Sequence, residues 1–118
     1  MSILLVAIGG FAGANARYFV GVTFNRVDPL RPFGTWIANI TGSFLLGFLF
    51  VATDNNLLPS MMWTLLGTGF CGAYTTFSTF GTELVSMLVK KAYRRAILYA
   101  FSSIAISLLG VFIILVIY

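Results

Sequence analysis

Four long apolar stretches run along the chain, at about residues 3–24, 34–52, 61–89 and 96–117. Three short polar stretches separate them: 25–33 (NRVDPLRPF), 53–59 and 90–95 (KKAYRR). An apolar run of eighteen or more residues with few charges predicts a membrane-crossing helix. Two prolines and mixed charges in the first separator predict a loop. The pattern therefore predicts an all-α membrane protein of four spans, with residues 1–118 forming one domain.

The third stretch does not fit a single crossing. Its 29 residues would extend roughly 43 Å as a straight helix. The hydrocarbon core of a bilayer is about 30 Å thick. The stretch must tilt strongly, protrude, or break. Its centre, residues 67–81, reads GTGFCGAYTTFSTFG. Gly67, Gly69 and Gly72 lower helix propensity there. Thr75 and Thr76 bring hydroxyls that can bond freed backbone groups. Unwound backbone at membrane depth is tolerated only where protein buries it or a wet cavity adjoins it. A break between about Gly72 and Thr76 would thus mark a functional centre. A long tilted helix with glycines for close packing is the other reading.

Composition strengthens the membrane assignment. The chain has 118 residues, 59% hydrophobic and only 8% charged, and a mean hydropathy of +1.00. Soluble domains carry about 25% charged residues. The N-terminal stretch lacks the basic region of a secretion signal and reads as the first span. The first and third separators hold six cations (Arg26, Arg31, Lys90, Lys91, Arg94, Arg95), and the second holds none. The net charge of +4 is thus a topology signal, not a nucleic-acid patch, and the bias would put both termini outside.

Chemistry is limited by what is missing. There is no His, and the lone Cys71 can make neither an intrachain disulfide nor, by itself, a metal site; it reads as packing. Asp28, Asp54 and Glu83 lie mostly near predicted span ends, whereas a proton-coupled pump wants an ionisable group in mid-membrane. Hydrolytic and redox chemistry are excluded. Neutral polar groups, a broken backbone and aromatic rings remain, the materials of a passive pathway.

Several positions within the spans stand out. Gly9 and Gly13 form a GxxxG pair suited to close helix packing. Asn15 and Arg17 are polar near the end of the first span. Arg17 either snorkels to the interface or sets a positive charge beside an anion path. Asn39 is an amide on the second span, either an interhelical clamp or a donor lining a pore. Phe77 and Phe80, three apart, share a helix face, with Ser78 and Thr79 between them. Glu83 either sits at the interface or pairs with a cation such as Arg17. Tyr99, Ser103 and Ser107 make a polar stripe on the fourth span, although Ser hydroxyls often bond their own backbone.

Three blocks carry a resemblance: GGFAGANARY (9–18), PFGTWIANITGSFLLG (32–47) and GFCGAYTTFSTF (69–80). Together they resemble the Fluc (CrcB) family of fluoride channels over essentially the whole chain. The resemblance implies a multi-pass protein of the cell membrane, an antiparallel dimer with two fluoride pathways, and no enzymatic activity. It implies pore roles for Phe77, Phe80, Asn39, Ser78 and Thr79, and a polar track at Tyr99, Ser103 and Ser107. It implies a structural sodium ion at the dimer centre, held by backbone carbonyls of Gly72 and Thr75. Arg17 falls on the arginine of the first block, as a vestibule or structural charge. The six-to-none cation bias departs from single-gene members that insert in both orientations. Homodimer and a pair of oppositely oriented, similar chains both stay open. The rival classes are a small multidrug-type proton-coupled exporter, disfavoured by the lack of an acid in the first span, and a non-transporting assembly subunit.

Overall fold

The first span is one helix, α1 (Ser2–Phe24), in a computed structural model that describes residues 2–27 and 30–117. Asp28 lies outside the described residues. The chain then departs from the expected loop. Residues Asn25–Val27 (β1) and Leu30–Pro32 (β2) pair as a short antiparallel ribbon. Its register sets Asn25 opposite Pro32, and α2 (Phe33–Asp54) starts at once. Proline offers no side-chain cap to that helix. Asn25 takes over: its Oδ1 accepts from the Gly34 N–H at 2.7 Å and the Thr35 N–H at 3.3 Å. Two orphan donors of the first turn are satisfied from across the ribbon.

α2 closes through a left-handed residue. Asn56 has φ 60°, a conformation that Asn tolerates. Leu57 N–H donates to the Ala52 carbonyl, and Asn56 N–H to that of Thr53. This double bond pattern terminates the helix sharply. The same arrangement ends the third span at Lys91, with φ 61°, where Ala92 N–H donates to Met87 and Lys91 N–H to Leu88.

The third stretch breaks. It comprises α3 (Ser60–Met62), a π-helical segment (Trp63–Cys71), α4 (Gly72–Tyr74) and, after an interruption at 75–77, α5 (Ser78–Val89). The break begins at Thr75, whose φ −83° and ψ 157° are extended. It therefore lies later than expected, because Gly72 is still helical. α6 (Tyr93–Ile117) follows, three residues earlier than the apolar pattern suggests. Among the described residues, α1, α2 and α6 are long and apolar enough to cross a membrane.

Glycines set the packing. A Cβ on Gly9 would meet the Leu65 carbonyl oxygen, and one on Gly13 the Phe70 carbonyl oxygen. α1 thus lies backbone-to-backbone on the π-helical segment, as the Gly9/Gly13 spacing suggests. On the other side, the Phe44 ring of α2 occupies the space over Gly110 of α6. Burial is thin: a cluster of Phe80, Met87, Ala96 and Tyr99 forms the core, and among the described residues no large side chain is fully enclosed. Exposed Leu, Ile, Val and Phe cover the remaining helix faces. In water that surface would be costly; lipid satisfies it.

Gly13→Ala should lower stability by about 1–3 kcal/mol or more, because the added methyl meets backbone that cannot swing aside. Gly81→Ala, whose added methyl faces open space, should not. Thermal unfolding in detergent checks this, and equal midpoints for the two variants would refute the close contact.

Candidate functional site

The break would leave polar backbone stranded, and Asn39 meets it. Asn39 Nδ2 donates to the Thr76 carbonyl at 2.9 Å, and Thr76 N–H donates to Asn39 Oδ1 at 2.7 Å. One amide side chain pairs with both backbone groups of one residue, as a neighbouring strand would. Thr76 then caps the next helix, its Oγ1 accepting from Thr79 N–H at 3.2 Å. The clamp reading of Asn39 is thus realised geometrically. A primary amide has two N–H donors, so one is left over.

The break also releases carbonyls. In a continued helix the Gly72 carbonyl would receive the Thr76 N–H, which instead goes to Asn39. Among the described residues no hydrogen bond reaches the Gly72 or Thr75 carbonyl. Thr75 turns its own hydroxyl back onto Cys71 O at 2.9 Å.

A groove of about 490 Å³ runs beside the break. Asn39 and Ser43 of α2, Gly72, Thr75, Thr76, Phe77 and Phe80 of the third stretch, and Ser103 and Ser107 of α6 all line it. The buried Ser103 hydroxyl has no hydrogen-bond partner among the described residues. An unpaired buried hydroxyl is costly, and this one adjoins the groove. The two phenylalanines differ more than their spacing suggests. Phe77 precedes α5 and is 85% exposed; Phe80 is 9% exposed. Their ring centroids are 6.4 Å apart, and Phe80 packs on Tyr99 at 5.0 Å.

Other expected residues fall elsewhere. Ser78 is exposed, its Oγ 3.5 Å from Thr76 Oγ1. Tyr99 is buried beyond Phe80 and faces a second groove with Trp36 and Arg95. Arg17 and Thr79 line a third cavity of about 300 Å³ with Thr35 and Thr76. Arg17 Nε is buried there without a hydrogen-bond partner among the described residues. Glu83 does not pair with Arg17. Its Oε1 accepts from Thr35 Oγ1 at 2.7 Å, and the Tyr99 hydroxyl lies near both without hydrogen-bond geometry. Asn15 is exposed and donates to the Phe11 carbonyl of its own helix at 2.7 Å. The capping role of Asn25 was missed by sequence reasoning; an Asn at a helix end was the available signal.

A family model described as CrcB-like protein, Camphor Resistance (CrcB) matches residues 4–115. The chain belongs to the CrcB family. A relative from Acidobacterium capsulatum, named fluoride-specific ion channel FluC, is 43% identical over 115 residues, 96% of this chain and 92% of that one. One from Oceanobacillus iheyensis with the same name is 43% identical over 104 residues, covering 87% and 80%. A third, from Moorella thermoacetica, named fluoride-specific ion channel FluC 2, is 45% identical over 105 residues, covering 88% and 85%. With its apolar helices, this CrcB chain is a multi-pass membrane protein.

The clamp makes a prediction within this CrcB chain. Asn39→Ala removes both bonds and leaves two part-buried backbone groups at Thr76 unpaired, at about 1–3 kcal/mol each. Folding should therefore suffer more than loss of one ordinary hydrogen bond implies. Asn39→Asp keeps an acceptor for Thr76 N–H but offers the Thr76 carbonyl no donor while ionised, so it should be partly destabilised. Amide hydrogen exchange at Thr76 and Thr79 reads this directly; protection unchanged in Asn39→Ala would sink the clamp.

Proposed function

We propose that the chain is a fluoride-selective channel, a passive route for fluoride out of the cytoplasm and not an enzyme. The observation that carries the reading is the convergence of Asn39, Phe80, Ser103 and Ser107, from three elements, on one groove. The relatives' names supply the ion. Fluoride is small and strongly hydrated, so donors must replace its water. The Ser103 hydroxyl and the spare Asn39 N–H are such donors. A ring edge is weakly positive, and Phe77 and Phe80 present rings at the groove. Ser78, Thr79, Tyr99 and Ser107 extend the polar lining to either side.

On this reading residues 60–89 make the fourth crossing, and two inverted copies assemble. The described chain is a slab, 48 × 32 × 19 Å, about two helices thick. The groove therefore lies open on a face, and Thr68, Gly72 and Phe77 are exposed along it. A second copy would roof it. The unbonded Gly72 and Thr75 carbonyls fit a hard cation such as sodium, which takes oxygen ligands. Two from each copy would hold it as a structural ion. The cation bias leaves an oppositely oriented, similar chain as the alternative partner. A proton-coupled exporter is disfavoured because α1 holds no acid.

Liposomes loaded with fluoride, without a proton gradient, should lose it through the purified chain. Phe77→Ile should slow efflux about three- to thirtyfold, the worth of an ion–ring contact by analogy with cation–ring pairs. Its ring is exposed, so stability should hold. Phe80→Ile should slow efflux and also destabilise, since Phe80 packs in the core. Parent-rate efflux from both variants would remove the rings from the pathway; no efflux from the parent alone would favour an assembly subunit or an obligate partner.

Single cysteines placed on the first and second connectors test assembly, because Cys71 is buried and gives little background. Labelling of each connector from both membrane sides is expected for an inverted homodimer. One-sided labelling would instead require the oppositely oriented partner.

A further inference from the structure

The groove that Tyr99 faces shares no lining residue with the groove beside the break and has a different character. It holds about 300 Å³ and lies between the start of α2, the end of α5 and the start of α6. Phe33, Trp36, Met87 and Leu98 make it mostly apolar, and Arg95 is its one cation among the described residues. Trp36 Nε1–H is already satisfied, donating to Ser102 Oγ at 3.0 Å. Beside Trp36 and Leu98 the groove thus suits a hydrocarbon guest.

Its position along α6 adds a vertical order. Arg94 and Arg95 come first, exposed; Ile97 and Leu98 follow, also exposed. From Arg95 to Ser102 the helix rises roughly 10 Å. Cations above and apolar surface below match a phospholipid, phosphate above and acyl chain beneath. Lys90 and Lys91 add exposed charge at the same turn, with no acid in that connector. Tyr93, exposed at the head of α6, is of the type enriched at the membrane interface.

We propose that this groove binds an anionic phospholipid, its phosphate on Arg95 and one acyl chain against Trp36 and Leu98. Basic pockets between membrane helices on the cation-rich side recognise anionic headgroups. The occupant is a lipid because the lining below Arg95 is apolar, which a free phosphate would not use. The site is independent of what permeates the chain.

Trp36 is its own reporter. The chain has two tryptophans, and Trp63 lies at the opposite end of α2, edge-on to Phe50. In a Trp63→Phe background, emission therefore comes from Trp36 alone. The protein is reconstituted in vesicles of brominated phosphatidylglycerol mixed with plain phosphatidylcholine, and in the reverse labelling. Quenching should be stronger when the anionic lipid carries the bromine at equal mole fraction. Arg95→Gln should reduce that preference about fivefold, the worth of one cation near an anionic surface. Arg94→Gln, a cation outside the groove lining, should reduce it less. Equal quenching by both lipids overturns the proposal, as does an absence of quenching by either. Equal losses in Arg94→Gln and Arg95→Gln also overturn it, leaving only diffuse surface charge.

Discussion

A broken helix inside a bilayer is unstable unless its loose peptide groups find partners, and here one side chain supplies them. The Asn39 amide pairs with both polar edges of Thr76. That pairing fixes the break against α2. One turn earlier on the same face of α2, Thr35 donates to Glu83, seven residues beyond Thr76. The two contacts together hold α5 along α2. Phe80, between them in sequence, is thereby set against Tyr99 of α6. The groove is a consequence of this alignment, since its walls come from the three elements that the clamp relates.

The other half of the third stretch is fixed by a different force. α1 and the π-helical segment touch through backbone, with Gly9, Gly13 and Gly69 at the crossing. A Cβ at Gly9 or Gly13 would strike backbone atoms, so the contact depends on what is absent from those positions. Close approach of this kind is a membrane solution: lipid gives little drive to bury apolar side chains, and backbone proximity supplies dispersion instead. The break thus lies between a half held by glycine contact and a half held by hydrogen bonds.

Much of this was legible in the chain. Apolar length predicted α1, α2 and α6 to within a few residues, because hydrocarbon thickness constrains length strongly. The excess length of residues 61–89 predicted an interruption. Its position was less legible: Gly72 has low helix propensity, yet it stays helical, since propensity is a weak prior against packing. Thr75 breaks because Asn39 captures the next N–H, a contact between residues 37 apart in sequence. The pairing of 25–27 with 30–32 was hidden for the same reason, since Asn25 finds its partners nine and ten residues further on. The unequal exposure of Phe77 and Phe80 depends on where α5 begins, which spacing alone does not reveal.

Charge placement gives the last step. Thr76 lines both the groove and the cavity that holds Arg17, so the broken segment is the wall between them. A guanidinium in direct contact with a small anion would hold it strongly, and a passive route needs binding weak enough to release. Separated by that wall, Arg17 would still attract an anion, because Coulomb attraction falls only inversely with distance in poorly screened surroundings. On the channel reading, the positive potential and the contact donors are thus divided between two cavities. On that reading neutral groups would touch the ion, and the fixed charge would raise its local concentration without trapping it.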